Sequence, residues 1–249
     1  MNALTILTMV LPGLVLGCML TLLSDRLLES TLPHGLRFAK QRFGRIHAAA
    51  GTVAMDGQGT PREPLPIRYP LGIAGFALAF AWTAVSVGWR LEAAVAFVLL
   101  SVLYVILQTD LAEMIIPNEV VFGGLILLVL LRLVEHPLPF WDYALASVGG
   151  SGFLLVTGFV FEKFVGRESM GGGDIKLYLL LGVALGIKLT LLSLFLASLL
   201  GLLILLPLRA IQKKGTDEPV PFGPFIAGGA WVAYLWGEAL LNAYLRLVI

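Results

Sequence analysis

Two aspartates are the strongest candidates for chemistry in this chain, because each lies at the edge of a long apolar run. Asp110 ends one such run, and Asp174 directly follows the three glycines of residues 171–173. Two carboxyl groups held together in a poorly hydrated site cannot both ionise easily, so one keeps its proton while the other acts as a base. Such a pair is able to hydrolyse an amide, because the carboxylate activates a water and the acid polarises the carbonyl.

The elements that must position these aspartates are membrane helices. Of the 249 residues, 58% are hydrophobic and 13% are charged, whereas soluble domains have about 25% charged residues. A hydrocarbon core about 30 Å thick needs roughly 20 apolar residues as helix. The pattern therefore predicts an all-α polytopic membrane protein, with residues 1–249 as a single membrane domain. The eight predicted spans are residues 3–23, 71–88, 91–108, 118–134, 142–162, 175–187, 189–208 and 222–245.

The basic residues predict the orientation of these spans. Thirteen of the 17 lysines and arginines fall in three loops, 24–69, 163–176 and 209–221, which eight spans place on one side. Loops rich in lysine and arginine stay in the cytoplasm. We therefore expect both termini to be periplasmic, and Asp110 and Asp174 to meet at the cytoplasmic face. The sixth and seventh spans would be joined by a tight turn around residues 186–188.

The residues next to the two aspartates are candidates for holding a substrate. Gly171, Gly172 and Gly173 lack a Cβ and would let an extended peptide approach Asp174 closely. Two glutamates on the same side, Glu113 and Glu168, would attract a basic segment, and Lys176 lies in the same block as Asp174. Each aspartate also has a structural interpretation, since Asp174 would suit a helix cap and Asp110 a solvated helix end.

Metal ligands are scattered along the sequence. Cys18 is the only cysteine, and His34, His47 and His136 do not cluster. The 24–69 loop therefore lacks the cysteines of a zinc site. We expect no metal at the catalytic site.

Several segments resemble one family of membrane peptidases. The block of residues 167–177, which contains Gly171–Asp174, is similar to the second active-site block of the prepilin peptidases, or type IV leader peptidases. Asp110, followed by Pro117-Asn118, resembles the first block. Pro221-Phe222-Gly223-Pro224 resembles the segment that begins the family's last helix, and Arg68-Tyr69-Pro70 the segment that begins its second. The resemblance runs from about residue 68 to the end of the chain.

This resemblance implies an eight-helix aspartic endopeptidase of the bacterial inner membrane, with Asp110 and Asp174 as the catalytic pair. Its expected partners are prepilin or pseudopilin precursors of type IV pili and type II secretion, together with membrane lipids, and no nucleic acid. The short basic leader would be cut after a glycine that precedes a hydrophobic helix. The peptidase reaction needs no cofactor. S-adenosylmethionine would be bound if the N-methyltransferase activity of many relatives is retained.

The chain departs from the family pattern at two points. Many relatives carry two Cys-x-x-Cys pairs in the first cytoplasmic loop, which residues 24–69 lack, so N-methylation stays open. Asn118 stands where relatives often have Asp, and we expect it to cap the fourth helix. The alternatives are a presenilin-like intramembrane protease, which shares the Gly-x-Gly-Asp pattern, a non-catalytic assembly factor, and a transporter that uses the two aspartates for proton coupling.

Overall fold

Helices make up the whole of the regular structure in the part of the chain that is described. The computed structural model describes residues 3–31, 68–88, 90–165, 171–212 and 220–248, and these residues form seven helices and no strand. The all-α prediction is therefore confirmed. The helices are α1 (Ala3–Thr31), α2 (Arg68–Val87), α3 (Leu91–Glu113), α4 (Asn118–Val134), α5 (Phe140–Val165), α6 (Gly172–Gln212) and α7 (Gly223–Val248).

Five helices of the described residues are long and apolar enough to cross a membrane: α1, α2, α3, α5 and α6. The chain is thus a multi-pass membrane protein. With 17 residues, α4 is at the short end of what spans a bilayer. The number of eight spans stays a prediction. Outside the described residues lies most of the predicted 24–69 loop, although α1 extends beyond its predicted end to Thr31.

The chain divides into two compact units, Met1–Leu78 and Ala79–Ile249. In the first unit α1 packs closely on α2, because a Cβ added at Gly17 would lie 3.1 Å from Cδ1 of Phe76. The hydroxyl of Thr21 donates to the carbonyl of Gly17 at 2.7 Å, which satisfies a polar group within the apolar helix. The single membrane domain remains a prediction.

In the second unit, α6 packs against α3, α4, α5 and α7, and α3 also packs against α4 and α7. α3 is apolar around its whole circumference, as expected of a helix that is largely buried. The core of this unit is an apolar layer of side chains with almost no exposed surface, among them Leu99, Ile106, Leu128, Leu177 and Leu181.

A sharp break divides α6 into two arms, residues 172–185 and 187–212. The break is at Gly186, whose φ of 73° and ψ of 175° are not helical. Positive φ is favourable for glycine because it has no Cβ. The structure therefore confirms that this long apolar segment is interrupted, and it places the interruption at the first residue of the predicted 186–188 turn. Asp174 lies at the beginning of the first arm.

Candidate active site

Asp110 lies in the last turn of α3 and is 5% exposed. The helix ends three residues later, at Glu113, because Met114 adopts a left-handed conformation with a φ of 55°. The N–H of Met114 donates to the backbone carbonyl of Asp110 at 2.9 Å. This left-handed ending is a common way to stop a helix. It fixes the backbone of Asp110 at the boundary of the apolar layer.

The side chain of Asp110 is held by the beginning of α7. The backbone N–H of Gly223 donates to Oδ2 of Asp110 at 2.8 Å. The first N–H groups of a helix have no partner within the helix and carry a partial positive charge, so a carboxylate is a favourable acceptor there. A Cβ added at Gly223 would lie 2.8 Å from the same Oδ2. Glycine is therefore required for this close approach.

Asp174 is the third residue of α6 and is 9% exposed. Its N–H donates to the carbonyl of Gly171 at 3.1 Å, so it lies inside the first turn and is not the residue that caps the helix. Its carboxyl group receives no hydrogen bond from the described residues. The carboxyl groups of Asp174 and Asp110 are close enough for their charges to interact. The structure thus brings together the two aspartates that the sequence singles out.

The three glycines before Asp174 have different surroundings. A Cβ at Gly173 would lie 2.8 Å from Cβ of Ile116, so this glycine lets α6 begin against the segment that follows α3. At Gly172 an added Cβ would meet nothing within 4 Å, and at Gly171 its nearest neighbour would be Oδ2 of Asp174 at 3.8 Å. Both Gly171 and Gly172 are exposed. Of these three positions, packing against the described residues therefore requires glycine only at 173.

Lys176 is exposed and links α6 to α4. Its Nζ donates to Oδ1 of Asn118 at 2.9 Å. The prediction that Asn118 caps α4 is wrong, because Pro117 occupies the cap position and no side chain caps the helix. Asn118 is instead the first residue of α4, and its side chain faces the lysine. This pair joins the beginning of two helices at the end of the bundle that holds Asp110 and Asp174.

Two glutamates complete the predicted site residues. Glu113, the last residue of α3, is half-buried one turn after Asp110. Glu168 lies outside the described residues. In the described ranges, no group of three or more His, Cys, Asp or Glu side chains is placed to hold a metal ion.

Sequence reasoning missed a second polar cluster, at the other end of α3. Glu92 lies in the first turn of α3 and forms an ion pair with Arg132 of α4. Arg132 is 5% exposed although it is a charged residue near the end of a helix. The signal was present, because an ionisable residue within an apolar run is rarely without a partner.

Known proteins resemble this chain over most of its length. The model of the type IV leader peptidase family matches residues 97–206, a range that contains both Asp110 and Asp174. No solved structure matches the chain.

Three curated relatives are each named prepilin leader peptidase/N-methyltransferase. The protein of Bacillus subtilis is 32% identical over 181 residues, which are 73% of this chain and 71% of the relative. That of Pseudomonas putida is 31% identical, over 75% of this chain and 65% of the relative. That of Aeromonas salmonicida is also 31% identical, over 73% of this chain and 62% of the relative. The chain thus spans somewhat less than two thirds of the length of these last two relatives. With its apolar helices and its two aspartates at one end of the bundle, the chain belongs to the type IV leader peptidase family.

Proposed function

We propose that this protein is an aspartic endopeptidase that removes the short basic leader from prepilin or pseudopilin precursors at the cytoplasmic face of the bacterial inner membrane. One observation carries the proposal: Asp110 and Asp174, from separate helices, are both buried and are close enough for their charges to interact. Family membership supplies the class of reaction and of substrate.

The two aspartates have different surroundings, and these suggest different roles. Asp110 accepts the N–H of Gly223 at the positive end of α7, which suits a carboxylate. Asp174 has no such donor among the described residues. We assign Asp110 as the base that takes a proton from the attacking water. Asp174 is the acid that polarises the scissile carbonyl and then passes a proton to the leaving nitrogen. The water oxygen bonds to the carbonyl carbon, and the C–N bond breaks.

The depth of the site fits a substrate that is partly embedded in the membrane. A precursor's hydrophobic helix would lie in the bilayer and its basic leader in the cytoplasm, so the bond between them would be at the boundary where both aspartates are found. Among the described residues, Gly172 leaves open space near Asp174 for an extended segment. Glu113 and Glu168 would attract the basic leader, each contributing up to about 1 kcal/mol if solvated. The basic loops predicted for the same face support this orientation.

Cleavage of a purified pilin-like precursor tests the proposal. Asp110→Asn and Asp174→Asn should each abolish cutting while leaving the helical content unchanged. Glu119→Gln is a matched control, because Glu119 is an exposed acid in the first turn of α4, and it should retain activity. Since both aspartates serve one water-activating step, the double variant should be little worse than either single variant. Full cleavage by either aspartate variant would overturn the assignment of that residue.

The same reaction can report on N-methylation, which the names of the relatives include. We add S-adenosylmethionine to the cleavage mixture and measure the mass of the product by mass spectrometry. A product with an added methyl group at its new N-terminus shows methyl transfer by this chain. An unmodified product, with cleavage intact, assigns the peptidase activity alone.

A further inference from the structure

An ion pair is buried at the end of α3 opposite to Asp110. The guanidinium of Arg132 donates from Nη2 to Oε1 of Glu92 at 3.0 Å and from Nη1 to Oε2. Tyr234 of α7 donates its hydroxyl to the same Oε1 at 2.7 Å. The Arg132 side chain is 6% exposed and that of Glu92 is 23% exposed. A buried pair of this kind is weak evidence for stability, since apolar residues often serve as well. Its contacts with α6 suggest a more specific role.

Arg132 binds the end of the first arm of α6. Its Nη2 donates to the carbonyl of Ala184 at 2.6 Å, and its Nε donates to the carbonyl of Val183 at 3.4 Å. Because the helix is interrupted at Gly186, the last carbonyls of this arm have no partner within it and carry a partial negative charge. The guanidinium satisfies two of them. Its planar fork lets one side chain bind a carboxylate and carbonyls together.

A carboxylate binds the beginning of the second arm. Oδ2 of Asp142, in the first turn of α5, accepts the N–H of Ile187 at 2.9 Å. This N–H is one of the unpartnered donors at a helix start. A Cβ added at Gly186 would lie 2.5 Å from the same Oδ2, so the backbone at the break in α6 packs closely against this carboxylate. Arg132 of α4 therefore binds the end of the first arm, and Asp142 of α5 binds the beginning of the second arm, so that a cation and an anion hold the break in α6 between them.

We propose that Arg132, Glu92 and Asp142 form a clamp that positions Asp174. The first arm of α6 is a short rigid helix with Asp174 at one end and, at the other, the break at Gly186 that the clamp holds. Fixing residues 183, 184 and 187 against α3, α4 and α5 sets the depth and rotation of this arm. It thereby sets the alignment of Asp174 with Asp110, which belongs to α3 as Glu92 does. These are positioning residues, and the inference rests on the proposed function for its catalytic consequence.

The test combines kinetics with a distance measurement that does not depend on activity. In a Cys18→Ser background, spin labels are placed at Leu111→Cys and Gly172→Cys, both of which are exposed positions beside the two aspartates. Arg132→Gln should broaden the distribution of distances between the labels. In the unlabelled protein the same substitution should lower kcat at least about tenfold with little change in KM, because it misaligns the catalytic pair without removing substrate contacts. Arg132→Lys keeps the positive charge but not the planar guanidinium fork. Its distance distribution and its kcat should therefore lie between those of the wild type and those of Arg132→Gln.

Lys188→Gln is the matched control, because Lys188 is an exposed cation two residues after the break at Gly186. It should change neither the distance distribution nor kcat. If Arg132→Gln fails to fold, Asp142→Asn and Glu92→Gln test the clamp with nearly the same shape, and we expect the same direction of change. A narrow, unchanged distribution in folded clamp variants would overturn the inference. If the distribution broadens but the aspartate variants still cut the precursor, the clamp stands and the proposed function fails.

Discussion

At the scale of single residues, the backbone of Gly223 has as much bearing on the site as the aspartates themselves. It donates to Asp110, and it leaves no room for a side chain. The sequence showed Gly223 only as part of a motif before the last helix. Its partner could not be predicted, because three helices, α4, α5 and α6, separate residues 110 and 223 in the chain. Asp110 and Asp174 were predictable because charged residues in apolar surroundings are rare.

Gly223→Ala should move Asp110 and impair catalysis. The added methyl group would lie 2.8 Å from Oδ2 and 3.0 Å from Cγ of Asp110, so the carboxylate must shift. A misplacement of about 1 Å lowers turnover by on the order of 100-fold, and we expect that loss in kcat for precursor cleavage. Gly228→Ala, on the same helix, is the control, because its Cβ would meet Leu200 at an ordinary 3.6 Å. Equal activities of the two variants would contradict the role of Gly223.

Substitutions at two adjacent glycines, Gly172 and Gly173, test contact with the substrate and packing within the chain separately. Gly173→Ala should distort the beginning of α6, because its Cβ would lie 2.8 Å from Ile116, whereas Gly172→Ala has open space. We therefore expect Gly173→Ala to lower thermal stability and Gly172→Ala to leave it unchanged. If extended substrate occupies that space, Gly172→Ala should still raise KM for the precursor. An unchanged KM would show that the substrate does not pass beside residue 172.

At the scale of elements, the sequence predicted the spans better than the contacts between them. Runs of apolar residues determine where helices form. Six helices each coincide with one predicted span apart from their ends, and α6 covers two predicted spans, 175–187 and 189–208. The pairing of Glu92 with Arg132 was not predicted, because it depends on how α3 and α4 pack. Asn118 was taken for a helix cap for the same reason, because its lysine partner belongs to a helix 54 residues further along the chain.

The break in α6 should depend on glycine at position 186. Gly186→Ala places a Cβ at a φ of 73° and 2.5 Å from Oδ2 of Asp142, so it combines backbone strain with a clash. Strain of this kind is worth about 1–3 kcal/mol, and we expect a corresponding loss of stability in denaturant titrations of the detergent-solubilised protein. Gly149→Ala in α5 is the control, because its Cβ would meet nothing within 4 Å. Equal free energies of unfolding for Gly186→Ala and Gly149→Ala would contradict this dependence on glycine.

At the scale of the whole molecule, the two polar clusters mark opposite ends of the second unit. Asp110, Asp174 and Lys176 lie at one end, and Glu92 and Arg132 at the other, with the apolar layer between them. The distribution of basic residues predicts that the aspartate end faces the cytoplasm. The sequence therefore predicts both the candidate pair and the side of the membrane that it faces.

Cysteine labelling tests this orientation. In a Cys18→Ser background, a cysteine at Gly172 should react with a membrane-impermeant maleimide only from the cytoplasmic side. A cysteine at Lys188 should react only from the periplasmic side. Both positions are exposed, and Gly172 has space for a side chain. Labelling of both cysteines from the same side would contradict the proposed topology.

The short first arm of α6 has a consequence for how water reaches the site. Its 14 residues, 172–185, have a length of about 21 Å, whereas the hydrocarbon core is about 30 Å thick. Neighbouring helices surround this arm, because its side chains Leu177, Leu180 and Leu181 have no exposed surface. Asp174, at the beginning of an arm shorter than the membrane, would thus lie below the lipid headgroups while remaining inside the bundle. Water would then reach the scissile bond between the helices and not through the lipid.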